Sequence, residues 1–203
     1  EQGLENLDET LAELRGDVVG RLRLAVVSTA ETFIPRLLGD FRRERPAVEV
    51  SLVVLNRDAV IRRLADNLDD LYIMSRPPQA PPVVATPFLS NPLVVVAAAE
   101  HPLAGRETLQ IEALAAEEFV LREPGSGTRS EFEAALPRGI AAFDLKTALV
   151  LPSNEAILTA VAAGGGAGGG LVTAISELAA RPLIEAGRLV RLPLDLPERP
   201  FYR

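Results

Sequence analysis

The stretch with the most chemistry in its residue types and spacing is Glu123-Pro124-Gly125-Ser126-Gly127-Thr128-Arg129. Pro124, Gly125 and Gly127 interrupt the apolar run Phe119-Val120-Leu121, and Ser126 or Thr128 can cap the helical pattern Phe132, Ala135, Leu136 that follows. A helix start carries unpaired N–H groups and partial positive charge, so a carboxylate or phosphate is favoured there. Taken alone, the loop reads equally as an ordinary capped turn. Two other turns, Ser28-Thr29 and Ser153-Asn154, also follow an apolar strand pattern and open a helical one. Each by itself can be no more than a cap; together with Ser126-Gly127-Thr128 they could turn N–H and hydroxyl donors into one cleft. Arg76 follows a strand end and Arg129 follows the loop, so either could make a bidentate contact to an anion, the alternative being a solvated surface arginine.

Other chemistry fails on inspection. Gly164, Gly166 and Gly169 have a dinucleotide-type spacing, yet they follow a helical pattern and precede a strand, the reverse of the order that fingerprint needs. Asp66, Asp69 and Asp70 lack the glycine and terminal glutamate of a calcium loop and read as a helix-ending acidic turn. His101 has no serine nucleophile motif near it, and no other set of residues suggests an enzyme or a metal site. The chain has one histidine and no cysteine, which removes thiolate chemistry, disulfides and the usual zinc sites.

The elements that must position the turns alternate. Residues 22–27 form an apolar run fit for a buried strand, followed by a helical pattern with Phe33, Ile34, Leu37, Leu38 and Phe41 on one stripe. The unit repeats as a strand at 48–55, the cap candidate Asn56, a helix at 58–67 and a third short strand at 71–74. After Pro77, Pro78, Pro81 and Pro82 come Val83-Val84-Ala85-Thr86 and the strongly apolar stretch 93–99. A second series follows: a short helix near 109–114, a strand at 119–121, the opening loop and its helix, a strand at 145–151 and a helix at 154–162. The glycine run 164–170 leads to Leu171-Val172-Thr173, a helix near 175–180 and a strand at 189–191. Strands alternating with helices predict parallel sheets with ligand groups at the carboxyl ends of the strands. We expect an α/β fold of two Rossmann-like lobes around a central cleft, crossed near 97–100 and 169–173 as in hinged binders. The expected division is 20–98 with 172–203 for lobe I and 99–171 for lobe II.

Ahead of these lobes, Leu4, Leu7, Leu11 and Leu14 give residues 2–15 a narrow apolar seam of the coiled-coil kind, so 1–16 read as the end of a linker helix or as a simple packing helix. At 203 residues and 48% hydrophobic the chain can bury a substantial core. No apolar run approaches the roughly 20 residues that span a bilayer, and the acidic start is unlike a signal peptide, so a soluble cytoplasmic protein is expected. The formal charge is −7 and the arginines lie among acids, so this stretch is a poor nucleic-acid binder by itself.

Four motifs in order carry a family resemblance: Arg21-Leu22-Arg23-Leu24-Ala25-Val26 with Ser28-Thr29, Arg122 through Arg129, Ser153-Asn154-Glu155-Ala156-Ile157, and Gly187-Arg188-Leu189-Val190. They resemble the effector-binding region of LysR-type transcriptional regulators. The stretch Leu64-Ala65-Asp66-Asn67-Leu68-Asp69-Asp70-Leu71-Tyr72-Ile73-Met74 is similar to the branch controlling Calvin-cycle operons that encode ribulose bisphosphate carboxylase. The resemblance implies the periplasmic-binding-protein type 2 fold, a homodimer with a tetramer open for the full-length protein, and DNA contact only through an amino-terminal winged helix-turn-helix. It implies no cofactor beyond a small effector such as a phosphorylated metabolite or NADPH. By motif it places Ser28 and Thr29 on the first lobe, Ser126, Thr128 and Arg129 on the second, and Ser75 and Arg76 beside the cleft. The glycine run is longer than the family's usual turn, and the chain stops soon after Phe201-Tyr202. The competing expectations are a transport-type solute-binding protein of the same fold and, more remotely, an enzyme use of it like that of prephenate dehydratase or porphobilinogen deaminase.

Overall fold

The unbroken aliphatic stretch Leu24-Ala25-Val26-Val27 is buried throughout, which a strand satisfies only between two neighbours and under cover on both faces. A computed structural model describes residues 19–136, 145–164, 170–196 and 198–203. The expected linker helix at 2–15 lies outside the described residues, as do 165–169 of the glycine run.

In chain order the first unit is strand β1 (Gly20–Val27), a 3-10 turn (Ser28–Thr32), helix α1 (Ile34–Glu44), β2 (Val48–Leu55), α2 (Arg57–Ala65) and β3 (Leu71–Ile73). These strands form a parallel sheet in the order β2-β1-β3. Its register sets Val27 beside Leu55 and Val26 beside Ile73, so Ser28, Asn56 and Ser75 leave the sheet at one rim. Ile34, Val60, Met74 and Phe201 close this core, with Phe33 tilted against Phe201 at 5.1 Å between ring centroids.

Next come β4 (Pro87–Leu89), β5 (Leu93–Ala98), a 3-10 turn (Ile111–Ala116), β6 (Glu118–Arg122) and α3 (Gly127–Ala135). They are followed by β7 (Lys146–Leu151), α4 (Asn154–Ala162), β8 (Leu171–Ser176), α5 (Glu177–Glu185), β9 (Leu189–Arg191) and β10 (Phe201–Tyr202). The second sheet runs β7-β6-β8-β5-β9, and Arg122 at the end of β6 pairs with Leu151 at the end of β7. Alternation along its strands feeds two cores. Val95, Ala97, Phe119 and Leu121 join Phe132 on one face, whereas Val94, Val96 and Val120 join Ile157 and Ile175 on the other.

Strand pairing departs from the expected lobe division. Strands β5, β8 and β9 all belong to the second sheet, whereas the sequence assigned 93–98 and 172–203 to lobe I. The chain passes to the second sheet between Leu89 and Leu93 and returns between Arg191 and Phe201. These crossing segments lie side by side, joined by an antiparallel bridge between Pro92 and Glu198 and by a hydrogen bond from Ser90 to Glu198. The physical reason is burial: all six residues of β5 and all six of β8 are buried, so each needs flanking strands. This sheet is also mixed rather than parallel, because β5 runs antiparallel to β8 and β9. The helix expected near 175–180 starts at Glu177, since the ladder with β5 holds Ile175 and Ser176 extended.

Candidate functional site

The two rims face each other. From the first sheet, β1 ends in Ser28 and buried Thr29, α2 begins behind Asn56, whose side chain accepts from the Ala59 N–H at 3.0 Å, and β3 runs on to buried Ser75. From the second, β6 ends in Arg122 and Glu123, Ser126 caps α3, and Ser153 caps α4 by accepting from the Ala156 N–H at 3.3 Å. Capping uses the serine oxygens as acceptors, so each hydroxyl keeps a proton to donate.

Two adjoining spaces separate the rims. The larger, about 920 Å³, is lined by Ser28, Asn56, Arg122, Glu123, Ser153 and Asn154 among others. The smaller, about 10 Å³, is walled by Thr29, Ser75, Ser126, Gly127 and Thr128 with Asn56 and Arg57. That is room for about one water molecule among hydroxyl groups. Thr29 and Thr128 meet there across the lobes, Oγ1 to Oγ1 at 3.4 Å. Gly127 lies close to the opposite lobe: a Cβ there would stand 3.4 Å from Arg57 Cδ and 3.7 Å from Ser75 Oγ, ordinary van der Waals contact.

Arg122 organises the larger space. Its guanidinium is almost wholly buried and donates through Nη2 to Ser28 Oγ at 2.9 Å and through Nη1 to Asn154 Oδ1 at 2.5 Å. It also donates to both oxygens of Glu123, at 2.8 and 3.1 Å. An arginine has donors only, so the Asn154 atom facing it is the carbonyl oxygen and the amide NH2 is left for other acceptors. Ser28 likewise accepts from Arg122 and retains its O–H. The result is one paired guanidinium among hydroxyl and amide donors, which suit a carboxylate or phosphate, with the carboxylates of Glu31, Glu123 and Glu155 on the same wall.

A second contact joins the lobes beneath the small space. Ser75 Oγ donates to Glu131 Oε1 of α3 at 2.5 Å, and both residues are buried. Burial pushes the Glu131 carboxyl above the usual carboxylate range, opposed by the Ser75 hydrogen bond and by the charges of Arg76, Arg199 and Arg57. Arg57 is itself held below its ordinary value, first by burial and then by the neighbouring Arg76 charge. The N–H of Asp58 at the start of α2 donates to the carbonyl of Gly125 at 3.2 Å, so a helix end on one lobe is satisfied by the loop of the other.

Of the residues singled out in the sequence, Ser28, Ser153 and Asn154 line the larger space and Thr29, Ser75, Ser126, Gly127 and Thr128 the smaller. The two arginines do not join them. Arg76 is exposed and offers its carbonyl to the Arg57 guanidinium, and Arg129 is tied to Glu133 at 2.7 Å and to the Arg122 carbonyl at 3.1 Å. The arginine that reaches the larger space is Arg122, and Arg57 walls the smaller; sequence reasoning passed over both as site residues. The signal for Arg122 was available: a charge directly after the apolar run Phe119-Val120-Leu121 and next to the anion-directed loop.

Comparison with known proteins follows the same lines. A family model described as the LysR substrate binding domain matches residues 15–203. The HTH-type transcriptional activator CmpR of Synechocystis is 41% identical over 161 residues, covering 79% of this chain and 52% of the relative. A RuBisCO operon transcriptional regulator of Acidithiobacillus ferrooxidans is 41% identical over 190 residues, 93% of this chain and 59% of the relative. The chain thus spans a little over half the length of these curated relatives. Among solved structures, the regulatory domain of CcmR from Synechocystis in complex with 2-PG superposes with a TM-score of 0.80 at 43% identity, covering 90% of this chain and 86% of that one.

Proposed function

The chain belongs to the LysR substrate binding domain family, and from that premise we propose that it is the effector-sensing part of a LysR-type regulator of carbon-fixation genes, holding a small phosphate-bearing anion between its lobes. The observation that carries the reading is the donor-lined space where Ser28, Arg122, Ser153 and Asn154 converge from both sheets. The similarity to the CcmR regulatory domain, whose structure contains 2-PG, supports 2-phosphoglycolate as the first compound to test. The relatives named above are transcription regulators, so a transport role for this chain is not favoured. An effector acts here by preferring one arrangement of the lobes about the paired segments at Pro92 and Glu198.

In this reading the protein is cytoplasmic, and DNA is held by a winged helix-turn-helix outside this stretch, consistent with a net charge of −7. It works as a homodimer: Leu37 on α1 and Leu149 and Val150 on the edge strand β7 are exposed apolar side chains suited to burial against a second copy. Among the described residues no helix is long and apolar enough to cross a membrane.

Calorimetric titration with 2-phosphoglycolate, phosphoenolpyruvate, sugar phosphates and NADPH tests the effector, and sedimentation of the same sample tests the dimer. We expect saturable heat with at least one phosphate-bearing compound on a dimeric species. No heat from any of them while circular dichroism reports a folded chain removes the effector reading; a monomer at all concentrations removes the dimer.

A further inference from the structure

The side chain of Glu123 presents a carboxylate to Arg122 in the two-pronged manner by which an arginine grips a free carboxylate or phosphate, Nε to Oε2 at 2.8 Å and Nη2 to Oε1 at 3.1 Å. The remaining donors that are satisfied go to Ser28 and Asn154, which fix the guanidinium from either side and line the same space as Glu123. Arg122 has only 2% of its side chain exposed, whereas Glu123 has 20%, so the carboxylate is the member of the pair with access to solvent.

We infer that Glu123 is an internal stand-in for the effector's anionic group, holding the fork of Arg122 until an effector carboxylate or phosphate displaces it. The proposal rests on the effector reading above and adds how the site is regulated.

Two anions cannot share one fork. Glu31 and Glu155 also stand on the wall of this space, so an anion entering beside an undisplaced Glu123 would meet several negative charges and a single guanidinium already paired. Exchange avoids this: the effector takes over the hydrogen bonds, and Glu123 swings into the water it already touches. The donors to complete such a ligand's shell are in place, because Ser28 and Asn154 spend their oxygens on Arg122 and Ser153 spends its oxygen on the Ala156 N–H. Displacement also has a route to the lobes. Glu123 begins the loop whose Gly125 carbonyl accepts from Asp58 across the cleft, so freeing the carboxylate moves the end of a segment that bridges them. The cost is that the observed affinity is the intrinsic affinity scaled by the fraction of molecules in which the fork is open.

Replacing the carboxylate by an uncharged isostere should therefore tighten binding, the opposite of what loss of a simple orienting residue would do. Glu123→Gln is expected to lower the Kd for 2-phosphoglycolate by about tenfold and to steepen its dependence on salt, because the cleft then offers an uncompensated cation. Glu123→Asp keeps a charge beside Arg122, and with it the fold, but cannot span the fork as well; it is expected to tighten binding about threefold. Unchanged or weaker affinity in both variants overturns the inference. If the unaltered chain binds no phosphate-bearing anion, it is the effector reading that fails; if it binds one and neither variant binds it more tightly, only the exchange of Glu123 fails.

Discussion

At the scale of single residues, function is decided by what each guanidinium is already holding. Arg129 sits where the sequence made it attractive, just past the anion-directed loop, yet its guanidinium is turned to Glu133 one turn along α3 and to the Arg122 carbonyl, and it lines neither space. Arg122 lies at the end of a buried strand, where sequence reading treats a charge as a boundary marker, and it is the one that faces the cleft. Which of two arginines near a loop turns inward depends on partners far along the chain, here Ser28 and Asn154, and spacing alone does not carry that information. The small hydroxyl residues were legible because strand ends and helix caps are local patterns. Arg129→Ala should accordingly change the calorimetric Kd for 2-phosphoglycolate by less than about threefold, while costing α3 the roughly 0.3–0.5 kcal/mol of a partly exposed pair one helical turn apart. A tenfold loss of affinity would return Arg129 to the site.

At the scale of elements, the loop between β6 and α3 is the part whose shape matters most. Gly125 has φ +86, a backbone conformation that disfavours any Cβ, and a Cβ built there would stand 2.9 Å from Asp58 Oδ2 on the opposite lobe. Gly125→Ala is therefore expected to destabilise the chain by about 1–2 kcal/mol in urea unfolding from the left-handed backbone alone, and to weaken effector binding as well by pushing Asp58 away. Unaltered stability would mean that the loop relaxes to a different turn. Period and cap signals had located most elements to within a residue or two: β2 and α4 match the expected bounds, Asn56 and Ser153 cap helices as read, and of the two cap candidates Ser126 and Thr128 it is Ser126 that caps α3. What escaped was the partner of each strand. The runs 93–98 and 171–176 are apolar at nearly every position, which says that both faces are covered but not which neighbours or direction of pairing supply the cover.

At the scale of the whole molecule, two lobes and a cleft were readable from the alternation of strands and helices, whereas the division between them depended on long-range pairing and fell elsewhere. Across that division Glu131 of α3 reaches Ser75, with Arg57, Arg76 and Arg199 around it. Its carboxyl is raised from 4.5 chiefly because burial penalises the charged form, an effect larger than the help it gets from Ser75 and the arginines. A carboxyl that holds its proton more tightly folded than unfolded favours the folded state most at low pH, below 4.5, and that contribution is lost as pH rises through the folded-state value. As pH rises, the cost of burying the charged form weighs increasingly on the lobe contact. Glu131→Gln keeps an oxygen to accept from Ser75 and carries no charge, so it should unfold at higher temperature than the unaltered chain at pH 7, and the difference should shrink as pH is lowered towards 4.5. Thermal melts across that range decide the matter: a variant less stable at pH 7 would show that the arginines, not burial, govern this carboxylate, and that its charge holds the lobes together.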